Sequence, residues 1–204
     1  MENKEVISTL NDIKNMMEKS TKFLSLSGIS SILVGIYACI GATIAYYLLG
    51  SGDVLMLNVN TPYKLRIVIL FAAILFIICL GTVVLLSYAK AKRSGQQLKL
   101  DHTTQRLLWN FFLPLFAGGI LCLSLISQQH YGLTSSIMLI FYGLALINAS
   151  NHTYSNTKYL GYAELTLGLC DSFIEGYALL FWALGFGIFH IIYGIGFYMQ
   201  YDRK

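Results

Sequence analysis

Apolar residues run almost unbroken through positions 23–49, 65–88, 107–126, 133–147, 156–170 and 173–199, with short polar stretches between them. About 20 apolar residues in a helix cross a hydrocarbon core of ~30 Å. Lipid offers the backbone no hydrogen-bond partners, so only helices or a closed barrel can span it. These runs lack the strict alternation of barrel strands. The pattern predicts an all-α polytopic transmembrane bundle of six spans. The fourth and fifth runs are short, and the fifth contains Glu164. A helix of about 15 residues covers only ~22 Å, so this span must thin the bilayer, sit deep among its neighbours, or re-enter.

Residues 1–22 have a different pattern. Val6, Leu10, Ile13 and Met17 recur at intervals of four, three and four, which puts them on one helical face among acids and lysines. The expectation is an amphipathic interfacial helix on the inner leaflet, leading into a transmembrane domain over 23–204. A short coiled-coil seam, joining copies of the chain or a cytoplasmic protein partner, is the competing reading. No basic start followed by an apolar core marks a cleavable signal.

Composition agrees with the pattern. Of 204 residues, 56% are hydrophobic and 12% charged, against roughly 25% charged in an ordinary soluble domain. The mean hydropathy is +0.63. Disorder is excluded, and a soluble enzyme or nucleic-acid-binding domain is disfavoured. The two prolines suit long helices, because each removes a backbone donor.

Charge placement tests the topology independently. With the N-terminus cytoplasmic, Lys4, Lys14, Lys19, Lys22, Lys90, Lys92, Arg93, Lys99, Arg106, Lys158, Arg203 and Lys204 face inward, and only Lys64 and Arg66 face outward. Twelve against two is the positive-inside asymmetry of an inner-membrane protein with both termini cytoplasmic. If the fifth run failed to cross, the split would become ten against four. The basic stretch 87–106 reads as a topology determinant that meets anionic membrane lipids. Nucleic acid would need a larger folded basic surface.

Spans associate through small residues and polar contacts, since lipid tails are as apolar as leucine. The first supplies Gly28, Ser31, Gly35, Ala38, Ala42 and Ala45; the third Gly118 and Gly119; the last Gly185, Gly187, Gly194 and Gly196. Cys39, Cys79, Cys122 and Cys170 lie in apolar runs without metal-ligand spacing and read as packing residues.

Two titratable groups at membrane depth are the candidate chemistry. Glu164 has Gly161 three residues before it and Gly168 four after; His190 has Gly187 and Gly194 at the same offsets. Positions three and four apart share a face, so both side chains are expected to point into protein. Measured from the inner helix ends, their depths differ by about 6 Å; measured from the outer turn, by about 16 Å. Whether they touch stays open. Candidate partners at this depth are Asn110, Asn148, Asn151, Tyr162 and Tyr193. Together these groups describe either a polar ligand or proton site among the later spans, or a hydrogen-bonded clamp that fixes the bundle.

Ser172 and Glu175 have the spacing of a capping box for the last helix, with Asp171 complementing the helix dipole; Asp171 also shares a face with Glu164 at a spacing of seven, so an outer vestibule is the competing reading, and capping is preferred. His102, His130 and His152 fall in loops and form no ligand pair. Only His190 lies deep enough for an axial haem ligand. No cofactor or metal is expected, and no HExxH, GxSxG or P-loop motif is present.

The runs 139–150 (LIFYGLALINAS), 159–164 (YLGYAE), 180–194 (LFWALGFGIFHIIYG) and 16–28 (MMEKSTKFLSLSG) resemble a family of small, uncharacterised bacterial multi-pass inner-membrane proteins. The resemblance covers most of the chain except the first outer loop. It implies a six-helix inner-membrane protein and carries no assigned activity. The leading expectation is a non-enzymatic membrane protein that binds a small ligand or senses the membrane and couples to a cytoplasmic partner. The alternatives are a small proton-coupled carrier using Glu164 and His190, and last an intramembrane enzyme, for which no nucleophile and base are paired.

Overall fold

A computed structural model of the chain describes residues 27–49, 62–93, 102–174 and 176–203. The expected amphipathic segment 1–22 lies outside them. The described residues form six helices and no strand: α1 (Gly28–Leu49), α2 (Pro62–Arg93), α3 (His102–Ser127), α4 (Leu133–Ala149), α5 (Thr157–Asp171) and α6 (Ala178–Asp202). Four of them, α1, α2, α3 and α6, are long and apolar enough to cross a membrane. With 17 and 15 residues, α4 and α5 are only about 25 and 22 Å long. Pro62 opens α2 at the first helical position, where no backbone donor is needed.

The helices alternate in direction. Backbone approaches pair Gly28 with Gly194 and Gly35 with Gly187 between α1 and α6, and Gly143 with Gly161 between α4 and α5. A Cβ on Gly28 would lie 2.7 Å from the Gly194 carbonyl oxygen, and one on Gly194 2.8 Å from that of Gly28. These contacts need glycine because the obstacle on each side is main chain, which cannot rotate away. The glycines of the first and last spans therefore meet as a reciprocal seam. α6 lies between α1 and the α4–α5 pair, while α2 flanks α1 and α3 flanks α4.

One end of this bundle gathers Lys90, Lys92, Arg93, Arg106, Lys158 and Arg203, and the other carries Arg66. At the basic end, Asp202 at the close of α6 accepts from the Gly28 amide (2.7 Å) and the Ser27 hydroxyl (3.4 Å). It also pairs with Lys90 of α2 at 2.7 Å. Asp202 thus caps α1 from another helix, meeting a donor that α1 cannot satisfy itself. The Lys90 ammonium lies 5.7 and 5.5 Å from the Tyr154 and Phe197 ring centroids. Burial, then the Asp202 charge, raise the Tyr154 phenol above its ordinary pKa. Asp202→Ala removes cap and ion pair together and is expected to cost about 1–3 kcal/mol. Asp202→Asn retains a capping oxygen and should lose less; thermal unfolding in detergent micelles compares them.

The start of the last helix differs from expectation. α6 begins at Ala178, and the Ser172 hydroxyl donates back to the Leu169 carbonyl of α5 (2.7 Å). The amides of Ser172, Phe173 and Ile174 bond back to Gly168, Cys170 and Asp171 carbonyls. The segment read as a helix start is consumed in closing the C-terminal end of α5. The other half of the expected box, Glu175, lies outside the described residues. The chain then turns at Gly176, whose φ of 90° suits a residue without a Cβ.

Candidate functional site

Glu164 sits midway along α5 with no exposed surface, and His190 on α6 is 3% exposed. They meet: Glu164 Oε1 is 3.3 Å from His190 Nδ1. The offset measured from the basic ends of the helices is the right one, because Thr157 Oγ1 lies 3.0 Å from Tyr193 Oη and Asn156 Nδ2 2.7 Å from Gln200 Oε1, which sets those ends of α5 and α6 level. The outer measure took α6 to start at Phe173. Beginning it at Ala178 removes about 7.5 Å of the apparent offset at 1.5 Å per residue, and the turn accounts for more.

Local backbone makes the meeting feasible. Residues Ala183–Phe189 of α6 are π-helical, and His190 is the first residue after them. A π-turn releases carbonyls from the regular ladder and is frequent at functional sites. Here the Gly185 carbonyl lies 3.1 Å from His190 Nδ1. Gly185 also lets α5 approach: a Cβ there would come within 2.5 Å of Glu164 Oε2 and would also meet the Leu139 side chain.

Tyr142 of α4 completes the group, its Oη 2.7 Å from His190 Nε2. Phe186 stacks with the imidazole at a centroid distance of 6.1 Å. From α1, the Ser31 hydroxyl donates to the His190 carbonyl at 2.9 Å. Four helices therefore converge on one histidine. Beyond its contact with His190, neither Glu164 oxygen has a hydrogen-bond partner among the described residues.

The protonation pattern follows from the partners. A carbonyl only accepts, so Nδ1 carries the hydrogen that faces Gly185. In the neutral ring Nε2 accepts from the Tyr142 hydroxyl; in the imidazolium it donates to the phenol oxygen, beside a Glu164 carboxylate. The two arrangements differ by one proton placed on Glu164 or on His190.

The other candidates scatter. Asn110 turns to the Arg106 carbonyl (2.8 Å) and to His152 (3.3 Å). It lines a groove of about 350 Å³ at the basic end with His102, Gln105, Arg106 and Trp109. Asn148 and Asn151 are exposed, and Tyr162 is half exposed. Tyr193 engages Thr157, one level below the centre. The flanking glycines of Glu164 and His190 serve different partners: Gly161 and Gly168 seat α5 on α4, and Gly187 and Gly194 seat α6 on α1.

Sequence reasoning missed Tyr142 and the particular role of Gly185. The only local signal for Tyr142 was its place beside Gly143 in an otherwise apolar run, and Gly185 was one glycine among four. Asp171, read as a dipole complement for the last helix, is instead buried and accepts from Ser136 of α4 (2.9 Å). No protein-family model matches the chain, and neither a curated protein nor a solved structure is significantly similar to it.

Proposed function

We propose that this chain is a six-span inner-membrane protein with both termini cytoplasmic, of the small bacterial multi-pass kind that its sequence resembles. It works without catalysis as a sensory or small-ligand-binding regulatory protein. Its input is the state of the buried Glu164–His190–Tyr142 centre, and its output is the packing of α4, α5 and α6. The observation that carries this reading is the 3.3 Å approach of two ionisable side chains, 0% and 4% exposed, at the meeting point of four helices. A single proton gained or lost there changes hydrogen bonds on three helices at once. Alternating helix direction and the clustering of basic residues at one end support the topology. That basic end, with residues 1–22, is where anionic lipid and a cytoplasmic partner would be met.

The groups facing the centre are Tyr142 from α4, Glu164 from α5, His190 from α6 and the Ser31 hydroxyl from α1; Tyr193 and Cys79 are the next titratable groups around Tyr142. Spin labels at the exposed positions Tyr162 and Ile188, in bilayer nanodiscs, should report an α5–α6 distance in Glu164→Gln and in His190→Gln that differs from that of the wild type. Unchanged distances in both variants would overturn the reading.

The unpartnered oxygens of Glu164 favour a second reading, a proton-coupled carrier in which this carboxyl is loaded and discharged. Reconstituted vesicles should then show pH-dependent flux that collapses in Glu164→Gln, and flux insensitive to that substitution dismisses it.

A further inference from the structure

The groove of about 350 Å³ at the basic end is lined by His102, Gln105, Arg106, Trp109 and Asn110. These positions follow one another at intervals of three, one, three and one, so a single face of α3 supplies them all. The stretch of α3 able to cross a membrane starts at Thr104. The groove therefore straddles the level at which this helix enters a bilayer, and from His102 to Asn110 it follows the axis for about 12 Å. Its volume falls within the range of small-molecule sites, roughly 300–1,000 Å³. It shares no residue with the Glu164–His190 centre.

Its chemistry is graded along the helix. His102 and Arg106 stand at the outer part, and Trp109 and Asn110 lie one turn further in. No described carboxylate pairs with Arg106: Glu164 meets His190, Asp202 meets Lys90 and Asp171 accepts from Ser136. An arginine at this level lays its stem on apolar surface and keeps its head at the polar boundary. There its planar fork of donors fits two phosphate oxygens at once. His102 adds a ring nitrogen able to donate. Trp109 is 71% exposed, and an indole one turn deeper sits where amphipathic rings settle at a membrane boundary. Asn110 is held in place by the Arg106 carbonyl and by His152, at 2.8 and 3.3 Å. A phosphate outside and an apolar ring inside match a phospholipid in order as well as in kind. The charge must also be net negative. A zwitterionic headgroup would bring an ammonium beside the cations of this end, with no unengaged carboxylate among the described residues to meet it.

We propose that this groove binds an anionic glycerophospholipid of the surrounding leaflet. Arg106 holds the phosphate, His102 assists it, and Trp109 lies against the glycerol and the first acyl carbons. The proposal rests on the membrane reading only in that the basic end lies at a bilayer surface. It needs nothing from the Glu164–His190 centre.

The test uses the full chain carrying Trp182→Phe, so that of the two tryptophans only Trp109 reports. Nanodiscs of phosphatidylcholine contain a minor share of phosphatidylglycerol, and bromine, which quenches indole fluorescence on contact, is placed on the acyl chains of one lipid or the other. Brominated phosphatidylglycerol should quench Trp109 well beyond its share of the bilayer. Arg106→Gln should cut that enrichment by about fivefold, the worth of one basic side chain near an anionic surface. Lys92→Gln removes an exposed charge at the same end but outside the groove, and should leave the enrichment nearly unchanged. Quenching in proportion to bilayer share overturns the proposal. Equal losses in the two variants mean diffuse attraction to the basic end, and overturn it as well. Excess soluble glycerol phosphate should not displace the lipid; displacement would overturn the lipid as occupant in favour of a free phosphate ester. Both leaflets of a nanodisc carry the same lipids, so failure here is separable from a wrong topology, and failure of the sensory reading shows in the spin-label distances alone.

Discussion

Replacing His190 by leucine is expected to lower the stability of the bundle by about 3–5 kcal/mol, the cost of leaving a buried charge without its partner. Glu164 has no exposed surface and no hydrogen-bond partner among the described residues beyond its contact with this ring. Removing the imidazole also strips the Tyr142 hydroxyl and the Gly185 carbonyl of their side-chain partner. Adding Glu164→Gln removes the charge and should recover much of the loss, so the two substitutions are strongly non-additive. Unfolding of the two single variants and the double variant in mixed micelles measures this coupling. A His190→Leu loss below about 1 kcal/mol, the scale of one ordinary hydrogen bond, would mean that the imidazole is not the counter-charge of Glu164.

Gly143→Val should be at least as damaging, by a different route. A Cβ at this position would stand 2.7 Å from both the Gly161 carbonyl oxygen and the Leu165 amide nitrogen, and one at Gly161 2.8 Å from the Gly143 carbonyl oxygen. The obstacle is backbone on both helices, so relief requires α4 and α5 to separate. That separation takes Tyr142 away from His190 and Ser136 away from Asp171. A loss at or above about 3 kcal/mol, the upper part of the usual overpacking range, is expected. Gly119→Ala is the matched control, because nothing lies within 4 Å of its added Cβ. It should be neutral or stabilising by up to about 1 kcal/mol through helix propensity. Equal losses in the two variants would show that α4 and α5 do not pack through this glycine pair.

Much of the architecture was legible because lipid imposes strict rules on a chain. The apolar runs located six helices, and the small-residue ladder from Gly28 to Ala45 marked the face of α1 that meets α6. Glu164 and His190 are both buried as expected, although the glycines that flank them seat other helices than the ones these side chains meet. The start of α6 was misread at Ser172 because a capping box and a turn that closes the preceding helix use the same residue types. Helix-end hydrogen bonding decides between them, and spacing alone does not reveal it. Asn148 and Tyr162 turn to the exposed surface, and Asn110 lies towards the basic end beside Arg106 and His152.

By itself the sequence determined the class of solvent, the helical content and the inward direction of the two deep ionisable groups, because each depends on the energy of exposing polar atoms to hydrocarbon. Only the tertiary structure decided that Glu164 and His190 touch, that Tyr142 joins them, and that Asp171 meets serines of α4. These depend on the relative rotation and axial offset of separate helices, and on a π-helical stretch that shifts the register of α6 by a fraction of a turn. Such offsets are set by packing between residues far apart in the chain, which no periodicity within a single run records.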